Sequence, residues 1–383
     1  TKILEAKQDI LFQLGTQAFA NVKLNDAVSL FSRAIQLGSY NMEARNDAYF
    51  WRGESYYRMG EYENAISDYR TYLNNTRQRN TDMYALAYYN LGYSYFKLRD
   101  YSAARNRFRQ YVDLESNRQA ASLADAYNRI GDCLYQNRQF SLAEENYSRA
   151  AQLSPSAGDY SIYQKGFLLG LQKDYKGKIS AMDRLISEYP ESQYVDDALF
   201  EKGRSYVLLE NSSSAAQAFE KLIREFPLSS LARKAGIQLG LLYYNDNQPE
   251  KALAAYKQVI SNYPGSEEAK IALQDLKSVY IDLNDINAYA SYVNSIGGNI
   301  RLEVGEQDSL TYIAAEKLFM RGDNDGVRRS LGNYLQRFPE GAFSSNANFY
   351  LGSIAFAKKE FDEAVQRFKS VIASGDTKFL EES

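Results

Sequence analysis

The chain has 383 residues, 45% hydrophobic and 24% charged, the makeup of a folded chain rather than a disordered one. A net charge of −3 supplies no positive field to hold nucleic acid or anionic lipid, and no apolar run reaches the roughly 18 residues a membrane span needs. The absence of histidine and the single cysteine, Cys133, remove the usual general base, the commonest metal ligand and any internal disulfide, so no catalytic residue, cofactor or metal is expected.

Glycines with matching neighbours recur at Gly15, Gly53, Gly92, Gly131, Gly166, Gly203, Gly240 and Gly352, with Lys277 and Ala315 in register in the gaps. Steps of 35 to 39 residues mark ten units. Twelve residues after these positions stands a small residue in most units: Ala27, Ala65, Ala104, Ala143, Ala215, Ala252 and Ala364. Four further on comes an aromatic: Phe31, Tyr69, Phe108, Tyr147, Phe219, Tyr256 and Phe368. A glycine on one helix facing an alanine on the next lets two antiparallel helices approach closely, with the aromatic filling the space beside them. Each unit therefore reads as a helical hairpin.

Units one to four occupy 1–155. Short polar turns, such as Arg58-Met59-Gly60-Glu61-Tyr62 and Lys97-Leu98-Arg99-Asp100-Tyr101, separate their two helices. The basic stretch Lys97, Arg99, Arg105, Arg107 and Arg109 is interleaved with Asp100 and followed by Asp113 and Glu115, which reads as a solvated helix face. Cys133 falls in an apolar helix pattern and reads as a small core residue.

Units five to eight occupy 156–296. Unit five puts Lys178 at the alanine position, although Tyr175 and Pro190 keep the register. Unit eight puts Lys277 at the glycine position and Tyr289 at the alanine position, and looser hairpin packing is expected there. Second helices end at Pro155, Pro190, Pro227, Pro264 and Pro339, since proline cannot continue a helix. The acidic pairs Asp196-Asp197 and Glu267-Glu268 fall where first helices begin and complement the helix dipole.

Residues 297–309 open with Gly297-Gly298-Asn299, break the helical period and read as a hinge or extended excursion. Units nine and ten occupy 310–383. Asp323-Asn324-Asp325-Gly326 has the look of a calcium loop, but Arg321 and Gly332 would fall at its first and twelfth ligand positions, so it reads as the turn of unit nine. No capping helix is evident after unit ten. The chain is expected to continue, and bare apolar ends would let copies associate end to end.

The run Tyr88-Tyr89-Asn90-Leu91-Gly92-Tyr93-Ser94-Tyr95 and the segment Tyr49 to Tyr57 resemble the first helix of the tetratricopeptide repeat, and the likeness extends over essentially the whole chain. The period is longer than that family's basic 34 residues, with the extra length after the second helix. This resemblance implies an all-α fold, an α-solenoid of about ten antiparallel hairpins coiled into a right-handed superhelix, with first helices lining its concave side. On those helices Phe12, Phe50, Tyr89, Tyr163, Phe200, Tyr312 and Phe349 form one row. Tyr57, Phe96, Tyr135 and Tyr244 belong to a second row two turns on, which also holds Phe19, Phe319 and Phe356. Such rows suit amphipathic anchors for a partner peptide or helix, and the family also uses tyrosine at both positions for packing between repeats.

The family's carboxylate clamp would need lysine and asparagine where this chain has Phe12, Thr16, Phe50, Glu54, Tyr89 and Tyr93, which argues against a cytosolic co-chaperone. Tyr189-Pro190-Glu191-Ser192, Phe226-Pro227-Leu228-Ser229 and Tyr263-Pro264-Gly265-Ser266 resemble the linkers of tetratricopeptide proteins of Gram-negative envelopes, including outer-membrane assembly lipoproteins and periplasmic cell-division coordinators. The expectation is a non-catalytic scaffold binding other proteins or peptides along its groove, periplasmic or associated with the outer membrane without inserting itself. A cytoplasmic regulator of the same family, or the recruiting arm of a larger multidomain protein, stays open as an alternative.

Overall fold

The structure is a computed structural model that describes residues 1–297, 300–375, 378–379 and 381–383. Its regular structure, among the described residues, is helical throughout, and its contacts divide the chain into two compact units, Thr1–Asn211 and Ser212–Ser383. In the first unit α1 (Lys2–Ala20) pairs with α2 (Leu24–Gln36), α3 (Met42–Arg58) with α4 (Tyr62–Asn75), and α5 (Asp82–Lys97) with α6 (Tyr101–Leu114). Then α7 (Ala121–Gln136) pairs with α8 (Phe140–Leu153) and α9 (Asp159–Leu171) with α10 (Tyr175–Glu188), and α11 (Val195–Leu208) follows. Every second helix also packs on the first helix of the next hairpin, so the hairpins stand in file.

The second unit opens with α12 (Ser212–Glu225). There α13 (Ser230–Asn245) pairs with α14 (Pro249–Asn262), α15 (Glu267–Asp282) with α16 (Ile286–Ile296), α17 (Val304–Met320) with α18 (Asn324–Arg337), and α19 (Ser344–Ala357) with α20 (Phe361–Ser374). Gly298 and Asn299 of the expected excursion lie outside the described residues. Gly297 turns the chain at φ 80°, Leu302 is buried in the core that includes Val279, Tyr289 and Val293, and α17 already runs through 304–309.

All ten hairpin turns follow one design. The residue seven after the key position adopts a left-handed conformation: Val22, Gly60, Arg99, Arg138, Lys173, Glu210, Asn247, Asn284, Gly322 and Lys359, at φ between 54 and 81°. Its N–H and the next one close back on the helix, as when Arg99 donates to the Phe96 carbonyl and Asp100 to that of Tyr95, both at 3.0 Å. This pair of bonds satisfies carbonyls that a helix end leaves orphaned. In four turns the next residue is an aspartate that caps the second helix: Asp100, Asp174, Asp285 and Asp323 accept from the N–H three residues on at 2.8 to 3.0 Å. The would-be calcium loop is this cap.

In the hairpins that carry both the glycine and the aromatic, the interior is built around the glycine, and the ring, not the alanine, is its immediate partner. A β-carbon on Gly15, Gly92, Gly131, Gly240 or Gly352 would fall 2.4 to 2.9 Å from the ring of Phe31, Phe108, Tyr147, Tyr256 or Phe368. The aromatic, expected beside a glycine–alanine contact, instead makes the contact with the glycine itself. The ring lies directly on the bare helix backbone, and the alanine, buried at every position from Ala27 to Ala364, lets the second helix come close enough for this.

Three hairpins solve the problem differently, and hairpin nine does so with buried Ala315, Val327 and Leu331 at the three positions. In hairpin five Met182 takes the aromatic's place against Gly166, and Lys178 stands where the others carry alanine. Lys178 is 8% exposed, passes close over Gly170 and ends against Glu201 of α11, whose other oxygen meets Arg204 at 3.2 Å. In hairpin eight Tyr289 is buried at the alanine position while Lys277 reaches out to Glu306 at 3.0 Å. The bulky side chain keeps α15 and the short α16 in close approach over less of their length than α13 and α14.

The tyrosine-proline linkers tie successive hairpins together. Tyr263 O–H donates to the Pro227 carbonyl at 2.8 Å, and Tyr189 O–H donates to that of Pro155. A proline carbonyl past a helix end has no helical partner, so the hydroxyl one hairpin later satisfies it.

Candidate interaction surface

The aromatic rows follow from the hairpin register: a residue three before the key glycine and one four after it lie two turns apart on one side of the first helix. The structure separates their members. Phe50 is 2% exposed, edge-on to Trp51, Tyr69 and Tyr72 at 5.3 to 5.7 Å, and Tyr312 is 3% exposed, stacked on Phe343 at 4.5 Å. Both are interior packing residues. Phe349 is half-buried under Phe379, whose ring stacks on it at 4.4 Å.

The remaining candidates keep part of a face accessible. Phe12, Tyr57, Tyr89, Phe96, Tyr135, Tyr163 and Phe200 are half-buried in the first unit, and Tyr244 is exposed in the second. They are held in place by neighbours: Tyr57 by Tyr62 at 5.5 Å, Phe96 by Tyr101 at 5.5 Å, Tyr135 by Phe140 at 5.9 Å and Tyr163 stacked on Tyr194 at 5.2 Å. Tyr244 donates its hydroxyl to Asp282, which Lys317 also meets at 2.6 Å.

Hairpins three to five add a polar network that the rows did not reveal. The carboxylate of Asp125 accepts from Tyr89 O–H at 2.7 Å and from Tyr93 O–H. One turn on, Arg129 lies between the rings of Phe96 and Tyr160, 5.8 and 4.9 Å from their centroids, and reaches Asp132 at 2.6 Å. Asp132 in turn accepts from Tyr147 and Tyr160 at 2.7 and 2.8 Å. Burial pushes the Asp132 carboxyl up while Arg129 pulls it back, and burial with Asp125 nearby drives Tyr89 and Tyr93 far up, so both hydroxyls stay protonated donors. A signal for these groups exists: Asp9, Asp47, Asp125 and Asp197 all stand six residues before their unit's glycine.

Cys133 is fully buried, and burial beside Asp132 pushes its thiol up to about 12, so it is a packing residue. Among the described residues, no three carboxylate or thiol groups are placed to hold a metal ion, and no helix is long and apolar enough to cross a membrane.

A model described as "Tetratricopeptide repeat" matches residues 12–82 and 89–158, and a second one of that description matches 160–192. A model described as "Outer membrane lipoprotein" matches residues 196–274. No curated protein matches the chain. Among solved structures, the C-terminal part of a TPR repeat-containing protein from Cytophaga hutchinsonii is similar at 20% identity and a TM-score of 0.56, covering 68% of this chain and 99% of that one. A tetratricopeptide repeat protein from Parabacteroides merdae aligns at 16% identity and a TM-score of 0.47 over 72% of this chain and 99% of that one. PilF of Pseudomonas aeruginosa aligns at 16% and 0.44, over 60% of this chain and 97% of its own.

Proposed function

We propose that this chain, which belongs to the tetratricopeptide-repeat family, is a non-catalytic scaffold of a bacterial envelope that holds partner peptides or helices along its first helices. The observation that carries the reading is the accessible aromatic side of hairpins two to five. Tyr57, Tyr89, Phe96, Tyr135 and Tyr163 are each fixed by a ring or carboxylate neighbour and each keeps part of its surface open. Rigid aromatics lose little entropy on binding and bury much area, which makes them common anchors in protein interfaces. The match of residues 196–274 to an outer membrane lipoprotein model supports placing the scaffold at the envelope.

Incorporating a photo-crosslinking phenylalanine analogue at Phe96 or Tyr135, and at exposed Arg109 on a second helix, tests the reading in cells. Adducts with a discrete partner are expected from Phe96 and Tyr135 and should sediment with the envelope fraction. Adducts from Arg109 alone would move the binding side to the second helices, and adducts found in the cytosol would remove the envelope assignment.

A further inference from the structure

Residues 70–118, from α4 through the linker after α6, hold nine of the chain's 45 arginine and lysine residues but only four of its 48 carboxylates, so this stretch is positive by five and the remainder negative by eight. Its cations also lack acidic partners. Among the described residues, cations paired with a carboxylate stop at Arg58 and resume at Arg129. The acids of the stretch are engaged elsewhere or stand apart. Asp82 lies in the first turn of α5 and Asp100 caps α6. Glu115 accepts from Tyr111 O–H at 2.9 Å and from the Asn117 N–H at 2.8 Å. Exposed Asp113, one turn from Arg109, makes no ion pair with it.

The arginines repeat with the hairpins. Arg70 and Arg109 hold the same place on α4 and α6, five residues after the buried Ala65 and Ala104, and Arg79 and Arg118 hold the same place in the linkers that follow. All four are exposed, so each pair forms a row across two successive hairpins. Neither Arg70 nor Arg109 falls in the last turn of its helix, and the helix dipole does not account for them. Arg105 donates Nη1 to Gln139 Oε1 at 3.1 Å and Arg118 donates Nη1 to the Val112 carbonyl at 3.2 Å. Both acceptors are neutral, so these guanidiniums are positioned without being neutralised.

Eight of the nine cations are arginines, whose forked donors match a carboxylate at two points. A membrane surface or a nucleic acid extends past two hairpins and meets the negative remainder of the chain. A short run of acidic residues meets the arginines alone. We propose that hairpins two and three carry a docking site for a short acidic segment of a partner protein, its carboxylates held by Arg70, Arg79, Arg109 and Arg118. This goes beyond the first-helix surface and uses none of its aromatic residues. If both surfaces are used, the crosslinker at Arg109 gives an adduct in addition to those at Phe96 and Tyr135.

The test is fluorescence anisotropy of a labelled hexaglutamate against the full chain, with hexaglutamine, phosphatidylglycerol vesicles and a single-stranded oligonucleotide as comparisons. Hexaglutamate should bind saturably at about 50 mM salt and weaken several-fold at about 300 mM, since exposed charges are screened. Hexaglutamine should not bind. Arg70→Glu with Arg109→Glu should lose about tenfold or more, because several exposed pairs turn from attraction to repulsion. Lys234→Glu with Lys369→Glu makes the same change of net charge at exposed lysines elsewhere and should stay within about twofold. Both double variants should melt like the parent by circular dichroism, as exposed substitutions leave the packing intact. Arg70→Gln with Arg109→Gln, which adds no acid, should still lose about threefold. No saturable binding of hexaglutamate, equal binding of hexaglutamine, or equal losses in the two charge reversals overturns the proposal. Tighter binding of the vesicles or the oligonucleotide overturns the acidic segment as occupant.

Discussion

Hairpins four and five stand side by side in the first unit and hold the same backbone with different interiors. Hairpin four has the Tyr147 ring on Gly131 and a fully buried Ala143, whereas hairpin five has Met182 on Gly166 and a buried lysine at the alanine position. Both turn through a left-handed non-glycine residue, Arg138 at φ 58° and Lys173 at φ 63°. The common element is therefore the turn and the bare glycine, and the filling is negotiable. What hairpin five requires in exchange is an outside partner: its ammonium meets Glu201 of the following helix, so its interior is completed by its neighbour.

The comparison breaks most sharply at Lys178. Lys178→Met keeps the bulk but leaves Glu201 with only the partly exposed Arg204, and should cost about 3 kcal/mol, the low end for stranding a buried charge. Adding Glu201→Leu should recover most of that loss, since an apolar pair can replace a buried ion pair. Urea denaturation followed by circular dichroism checks both. An unchanged midpoint in Lys178→Met would mean the pair is solvated.

Next in size is the glycine contact. Gly131→Ala would place a β-carbon 2.7 Å from a ring carbon of Tyr147, which cannot yield without moving its hydroxyl off Asp132. A loss of about 1 to 3 kcal/mol is expected. Gly166→Ala meets the terminal methyl of Met182 at 2.6 Å, a flexible end that can swing aside, and otherwise only the Ala181 Cβ at 3.0 Å, which needs a shift of a few tenths of an ångström, so it should cost less. Equal melting shifts in the two variants would show that the filling does not matter.

The smallest effect sharpens what the two hairpins share. Arg138→Gly and Lys173→Gly each relieve a left-handed conformation that costs a side-chain-bearing residue about 1 to 2 kcal/mol, less the backbone entropy glycine adds. Both should gain roughly 0.5 to 1 kcal/mol in thermal or urea unfolding, and by similar amounts. A loss in either would mean its side chain holds the turn.

The ten-unit register, the hairpin, its turn and the prolines that end second helices were all readable along the chain. Each is a local constraint that repeats every 35 to 39 residues and leaves its mark on residue type. The left-handed turn position was legible too, through Gly60 and Gly322, but eight side-chain-bearing residues hid it in the other units.

What a candidate aromatic does depended on contacts from beyond its own helix. Phe50 and Tyr163 occupy equivalent places, yet Tyr72 and its neighbours close over the first while Tyr194 only stacks on one face of the second. Likewise Lys178 reads as a defect until Glu201 is placed against it, and Asp125 as an ordinary helix charge until Tyr89 and Tyr93 turn to it. Periodicity states which side of its helix a residue occupies. Burial, pairing and the pKa shifts that follow depend on atoms a whole repeat away, and only the folded chain brings those together.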